Sequence, residues 1–384
     1  MNRFEFATAG RIIFGRGVSQ ELGQVLQEGS RVFLVHGSDQ ANARLVQDIL
    51  LERKCTVAQA DVSGEPTLDS IQECIRLAND FTPNWVVSVG GGSAIDTGKA
   101  TAGLLGNEGN ILDYLEVVGK GLSLQKPGVP MIAVPTTAGT GSEVTRNAVI
   151  ALKEQKIKVS LRSPLLLPWV ALVDPDLTKS MPPELTASTG MDALAQVLEP
   201  FVSIRANPLA DGFCTEGLQR SARSLVNAFQ DGNDIEARED MALASLMGGL
   251  ALANAGLGTV HGFAAAIGGR FEAPHGAICA RLLPGVVKAN VAAMRQREPA
   301  NPALARYERS SQLLTGKDDV TIASAIKWLE WLLEALKIPY LRSYGITGSD
   351  IPILVANTAA ASSTKANPIK LNENELTRIL VEAL

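Results

Sequence analysis

The sequence predicts a two-part protein: an α/β domain built on a parallel sheet, then an all-helical domain. Three observations carry this reading. The first half alternates short β-branched apolar runs with helical patterns, the mark of parallel strands joined by crossover helices. Beyond Pro182 strand-like runs nearly vanish, while Ala and Leu recur at helical spacing as far as Leu384. A chain of 384 residues also suits two domains better than one.

Taken in order, RIIFG (11–15), RVFLVHG (31–37), CTVAQA (55–60), NWVVSVGGG (84–92), VPMIAVPTT (129–137) and WVALVDP (169–175) are the expected strands. Between them QELGQVLQEG (20–29), ANARLVQDILLERK (41–54) and TLDSIQECIRLANDF (67–81) read as helices. The turn formers and proline pair of DPDLTKSMPPEL put the boundary near 176–184, giving a nucleotide-binding domain over 1–180 and a helical domain over 181–384.

Composition narrows the class of partner. With 46% hydrophobic and 20% charged residues the chain is globular. A net charge of −5, with no basic run, argues against nucleic acid or an anionic membrane surface and for a small-molecule substrate. Cys55, Cys74, Cys214 and Cys279 show no paired spacing and read as free thiols of a reducing compartment. The first residues lack the pattern of a secretory signal, so the expected location is cytoplasmic. Met241–Gly269 has no Asp, Glu, Lys or Arg, but its Ala and Gly content predicts a closely packed, buried helix pair, not a membrane span.

Chemistry first shows where a strand runs into Gly90, Gly91, Gly92 and Ser93 and a helix with Asp96 and Lys99 follows. Glycines let the backbone approach an anion, and the N–H groups of a new helix attract it. The bland alternative is a tight turn. A second small-residue loop, PTTAGTGSEVTRNAVI (135–150), offers Thr136, Thr137, Thr140 and Ser142 hydroxyls, although a threonine-rich helix cap reads the same way. Two such loops at the carboxyl edge of a parallel sheet suit a dinucleotide. NAD enzymes commonly place an acid at the end of a neighbouring strand, against the ribose 2′-hydroxyl. Here Gly37 and Ser38 stand there, which favours NADP, with Asp39 close by as a competing signal.

Only three histidines occur, and His261 and His275 fall in one short region. Asp192 and Gln196 lie four apart on one helix face, with Glu199 a turn further. Asp, His and His form a plausible divalent-metal set, against the alternative of buried core histidines and a capping Asp.

Assembled, RIIFGRG, GGGSAIDTGKA, PTTAGTGSEVT, LLLPWVALVDPDLT, TGMDALAQVLEP, VHGFAAAIGG, APHGAICARLLP and KANPIKL resemble the signatures of the iron-containing (group III) alcohol dehydrogenases, nearly end to end. The resemblance implies a Rossmann-like N-terminal domain and an all-α C-terminal domain of dehydroquinate synthase-like architecture, with the active site in the cleft between them. It implies metal-assisted hydride transfer between NAD(P) and a small alcohol, aldehyde or ketone. Gly90–Ser93, Asp96, Thr136, Thr137, Thr140 and Lys158 would contact the cofactor, and Asp192, His261 and His275 would be catalytic metal ligands. The family usually has His where this chain has Gln196, so the fourth ligand is a weaker carbonyl donor, and zinc rivals iron. Ala265 replaces a further His found in many members. The family also implies a homodimer or larger assembly, to which the 11–15 strand would contribute. Two other readings remain at this point: a zinc-dependent cyclase or lyase resembling dehydroquinate synthase, and a metal-free cofactor-binding protein without catalysis. The particular substrate is not written in the motifs.

Overall fold

The computed structural model describes residues 3–384 and comprises two compact units. Ala7–Thr137 and Gly141–Ser180 form the first; Ala138–Thr140 and Met181–Leu384, with the chain start up to Phe6, form the second.

The strands of the first unit are β1 (Arg11–Phe14), β2 (Arg31–His36), β3 (Thr56–Asp61), β4 (Trp85–Gly90), β5 (Met131–Pro135), β6 (Asn147–Leu152), β7 (Ile157–Arg162) and β8 (Val170–Val173). Six of them make one sheet in the order β1-β8-β5-β4-β2-β3, with every pair parallel. Its helices are α1 (Leu22–Val25), α2 (Gln40–Glu52), α3 (Leu68–Phe81), α4 (Gly92–Leu104) and α5 (Ile111–Tyr114). Along β2, Val32 and Leu34 join Val46 and Leu50 of α2 in one core, while Phe33 and Val35 join Cys74 and Ala78 of α3 and Ile95 of α4 in another. Both faces of the sheet are therefore apolar, which explains why its strands read as continuous hydrophobic runs.

Two details depart from the sequence reading. The helix expected over 20–29 is reduced to a 3-10 turn at Val18–Glu21 and the single turn α1. Leu26 is already extended, and the chain reverses through Gly29 at φ 78° before β2. The second is an antiparallel hairpin, β6–β7, that the sequence reading left unassigned; it pairs Asn147 with Arg162 and Leu152 with Ile157. Ala148, Ile150 and Leu152 point inward with Val159 and Leu161, the period-two pattern of a half-buried ribbon.

The second unit holds α6 (Pro183–Val202), α7 (Pro208–Gln230), α8 (Ile235–Ala255), α9 (Thr259–Gly268), α10 (His275–Arg297), α11 (Ala303–Thr315), α12 (Ile322–Ala335), α13 (Ile351–Ala360) and α14 (Glu373–Ala383). Helix α6 runs through its centre, buried nearly throughout from Thr186 to Val202 and packed on α7, α8 and α10. Close crossing with α7 depends on missing side chains, since a Cβ on Gly190 would lie 2.2 Å from Leu225 Cδ1 and one on Gly217 2.6 Å from Val197 Cγ1. The charge-free stretch around Met241–Gly269 is the buried pair α8–α9, bent by 100° beyond Gly256, whose φ is 74°. By length and composition α10 alone is long and apolar enough to cross a membrane among the described single helices, and most of it is packed inside the protein.

Candidate active site

In the first unit the chain leaves β2 toward β3 on one side and leaves β4 toward β5 on the other. The crevice at the carboxyl ends of β2 and β4 is thus a topological switch point, where parallel sheets bind ligands. The backbone there is drawn tight: Gly37 N donates to Val89 O at 2.9 Å and Thr136 N to Gly90 O at 2.9 Å. Gly90 has φ 150°, and a Cβ on it would sit 2.7 Å from Ala94 Cβ and 3.1 Å from Gly37 N. A Cβ on Gly91 would press on Thr137 Cγ2 at 3.3 Å. Helix α4 starts at Gly92 with Gly91 as N-cap and no capping side chain. Its first N–H groups, beside Ser93, therefore lack a side-chain partner, and an anion such as a pyrophosphate fits a cradle of this kind.

Asp96 points elsewhere. Its Oδ1 accepts from Ser142 Oγ and from Lys99 Nζ (2.9 Å), and its Oδ2 from Val149 N (2.8 Å). Lys99, 0% exposed, also donates to Ser142 O at 3.0 Å, to Thr145 Oγ1 at 2.9 Å and to Asn147 O. Together they form a buried latch holding the second loop and β6 on α4. Burial draws the Lys99 pKa down, opposed by the Asp96 charge, and burial pushes the neighbouring Glu143 carboxyl up to about 7. Lys158, on β7, pairs with Glu65 at 3.0 Å. Thr136 is buried beside the cradle, whereas Thr140 belongs to the short segment that groups with the helical unit.

Asp39 stands at the start of α2. Its carboxylate caps α2, accepting from Ala41 N and Asn42 N at 3.1 Å each, from Asn42 Nδ2 at 2.9 Å and from Ser180 Oγ. Those partners tie its carboxylate to the start of α2.

In the helical unit, Asp192 and Gln196 project from α6, His261 from the first turn of α9, and His275 from the first residue of α10, directly after Pro274. Asp192 Oδ1 lies 3.2 Å from His261 Nε2 and 3.6 Å from His275 Nε2. One ligand atom each from Asp192, His261, His275 and Cys279 fall within 4.8 Å of one another. Gly276 makes this possible, since a Cβ there would lie 2.0 Å from Ser188 O and 3.3 Å from Asp192 Cβ.

The second ring nitrogen of His261 is also used. Glu199 Oε2 lies 2.6 Å from Nδ1, while its Oε1 accepts from Val260 N at 2.7 Å. A carboxylate on Nδ1 keeps a proton on that nitrogen, so Nε2, which faces Asp192 Oδ1, is the ring atom presented for ligation. Burial opposes the Asp192 carboxylate, but the charge of His275 and the hydrogen bond from His261 outweigh it and hold its pKa below the usual range. Burial likewise opposes the His261 imidazolium, but the electrostatic effect of Cys279 and hydrogen bonds to Asp192, Cys279 and Glu199 overcome it and raise its pKa well above the usual value. Such an anion-rich pocket suits a cation. Gln196 Nε2 donates to Gly139 O at 3.0 Å, while its Oε1 is buried with no partner. An orphaned buried acceptor beside this group is a second sign that the pocket takes something more.

A model of the iron-containing alcohol dehydrogenases matches residues 9–175, and the model of that family's C-terminal region matches residues 186–384. The chain belongs to the iron-containing alcohol dehydrogenase family. Alcohol dehydrogenase 4 of Saccharomyces cerevisiae is 34% identical over 340 residues, 88% of this chain and 86% of the yeast protein. The NAD-dependent methanol dehydrogenase of Bacillus methanolicus is 32% identical and covers 97% of both chains. The structure of an alcohol dehydrogenase from Oenococcus oeni superposes with a TM-score of 0.90 at 31% identity over all of both chains. As a member of the family the protein is an oxidoreductase acting on small alcohols or aldehydes with NAD(P) and a metal. The cyclase or lyase reading and the non-catalytic reading are not favoured.

Sequence reasoning noted Glu199 only as part of a helix face and passed over Cys279 as a scattered thiol. The signals were present: Glu199 lies seven residues after Asp192 on α6 and Cys279 four after His275 on α10, both helical spacings.

Proposed function

We propose that this dehydrogenase binds NADP(H) on the Gly90–Ser93 cradle, with Gly37, Ser38, Thr136 and Thr137 around it, and that Asp192, His261 and His275 hold a divalent metal. The reading rests above all on the convergence of those three donors, with Glu199 fixing the His261 tautomer. The metal, when bound, supplies Lewis acidity to the substrate oxygen. Bound NADP(H) would supply the hydride acceptor or donor, so that alcohol and NADP+ would give carbonyl, NADPH and a proton. The chain's own part is positional. The glycine cradle fixes the pyrophosphate, the Asp96–Lys99 latch keeps the second loop in place, and Glu199 holds the His261 ring.

The absence of an uncommitted acid after β2 supports NADP over NAD, although the Bacillus methanolicus relative is named NAD-dependent. Gln196, standing where the family usually has His, supports zinc over iron. Among the described residues the edge of β1 away from β8 has no partner strand, which supports self-association through that strand. Four free, buried cysteines suit a reducing compartment, and we place the enzyme in the cytoplasm on that ground.

The test is elemental analysis of the purified protein together with NADPH and NADH oxidation against small aldehydes, before and after chelation. Stoichiometric metal, with turnover lost on chelation and restored by zinc, is the expected result. Metal-free protein whose turnover ignores chelator sinks the metal role.

A further inference from the structure

We propose that the Cys279 thiolate is the fourth protein ligand of the metal and that Gln196 is not a ligand. This rests on the reading that the pocket holds a divalent ion, and it assigns the remaining coordination position. Helix α10 begins at His275, so Cys279 stands one turn further along the same face. Its Sγ lies 3.7 Å from His275 Nε2, which is itself 3.6 Å from Asp192 Oδ1, and Asp192 Oδ1 is 3.2 Å from His261 Nε2. Zinc bonds to N, O and S of about 2.0–2.3 Å place the corners of a tetrahedron about 3.3–3.7 Å apart. The three separations just given match that spacing, and all four ligand atoms lie within 4.8 Å of one another.

Gln196 competes poorly. Its Nε2 must face Gly139 O, because turning the amide over would set two carbonyl oxygens against each other. Its Oε1, the buried acceptor left without a partner, is then a neutral carboxamide oxygen and the weaker donor, while the fully buried Cys279 sulfur is a soft donor that a bound metal deprotonates. All four cysteines are buried in apolar clusters, Cys279 in the same one as Cys214, but among the described residues only Cys279 belongs to a group of metal-ligating side chains. A thiolate among two imidazoles and a carboxylate selects zinc over iron and makes this centre chemically distinct from an all-nitrogen and oxygen site.

The deciding experiment is zinc-edge X-ray absorption on the intact, zinc-loaded protein, repeated on Cys279→Ser and Gln196→Leu, with zinc affinity read by chelator competition. Wild type is expected to show one sulfur at about 2.3 Å from zinc. Cys279→Ser is expected to lose that sulfur and bind zinc about 10–100-fold more weakly, while Gln196→Leu keeps the sulfur and the stoichiometry. Cobalt-loaded wild type gives a thiolate charge-transfer band that is absent from Cys279→Ser, so wild-type spectra decide even where the serine variant does not fold. Zinc bound by nitrogen and oxygen alone in wild type, or a sulfur signal persisting in Cys279→Ser, overturns the assignment and leaves the metal-dependent dehydrogenase standing. Wild type that takes up no metal overturns both.

Discussion

The glycine cradle and the donor cluster are built on opposite principles. The cradle is backbone: its working parts are N–H groups and the absence of Cβ atoms at Gly90 and Gly91, all within a few consecutive residues. The cluster is side chain: its atoms come from three helices, with Asp192 and His261 separated by 69 residues of chain. A site made of empty space is damaged by adding atoms, and a site made of donors by removing them.

The largest effect tests the second half of that contrast. His261→Ala or Asp192→Ala is expected to lower kcat at least about 10³-fold, since several kcal/mol of charge stabilisation go with the metal. NADPH binding, followed by its fluorescence, stays intact. Turnover unchanged in both variants removes the metal from the mechanism.

The first half is tested by Gly90→Ala. The added methyl meets Ala94 Cβ at 2.7 Å in a backbone with φ 150°, so NADPH affinity is expected to fall about 10–100-fold for a displacement of under an ångström. Metal content should not change. Equal loss of metal and cofactor would show that the two sites are not separable in this way.

Glu199→Gln asks how far the cluster extends beyond its donors. Losing the anionic partner of His261 Nδ1 is expected to weaken metal binding about 10–100-fold with the fold retained. Gly37→Asp sharpens the picture of the cradle: a carboxylate after β2 is expected to move the ratio of kcat/KM toward NADH by about tenfold or more, about 1.4 kcal/mol. No change in that ratio places the ribose elsewhere.

The smallest effect concerns Glu143, whose carboxyl is pushed by burial from its ordinary 4.5 to about 7. Between those values the unfolded chain releases a proton that the folded chain keeps, so stability falls as pH rises through this window and the penalty is constant above it. Glu143→Gln removes the penalty. Its gain over wild type, at most about 3 kcal/mol, is expected in denaturant midpoints at pH 8 and to be nearly absent near pH 4. A gain that does not vary with pH would mean that Glu143 does not titrate there.

The same contrast explains what the sequence made legible. Parallel strands such as β4 and β5 are buried on both faces, so their composition announces them, and the glycines that follow are contiguous. The β6–β7 hairpin was hidden because its first strand begins inside a loop rich in Thr, Gly and Ser, and its alternation is diluted by Lys153, Glu154 and Lys156 at the turn. Asp192, His261 and His275 stand out in the sequence through the scarcity of histidine and the family resemblance. Cys279 was not, because a buried thiol in an apolar helix looks like core packing until α6, α9 and α10 are set side by side. Gly276 likewise has a reason only in three dimensions, namely the carbonyl of Ser188 pressed against its Cα.

The bond between His261 and Glu199 also gives the protein an internal reporter. A proton on a buried ring nitrogen 2.6 Å from a carboxylate oxygen gives a magnetic resonance signal far downfield of the amide region that is slow to exchange with solvent. With only three histidines in the chain, that resonance can be assigned with few substitutions. It lets the assembly of α6 against α9 be followed in solution before any substrate is known.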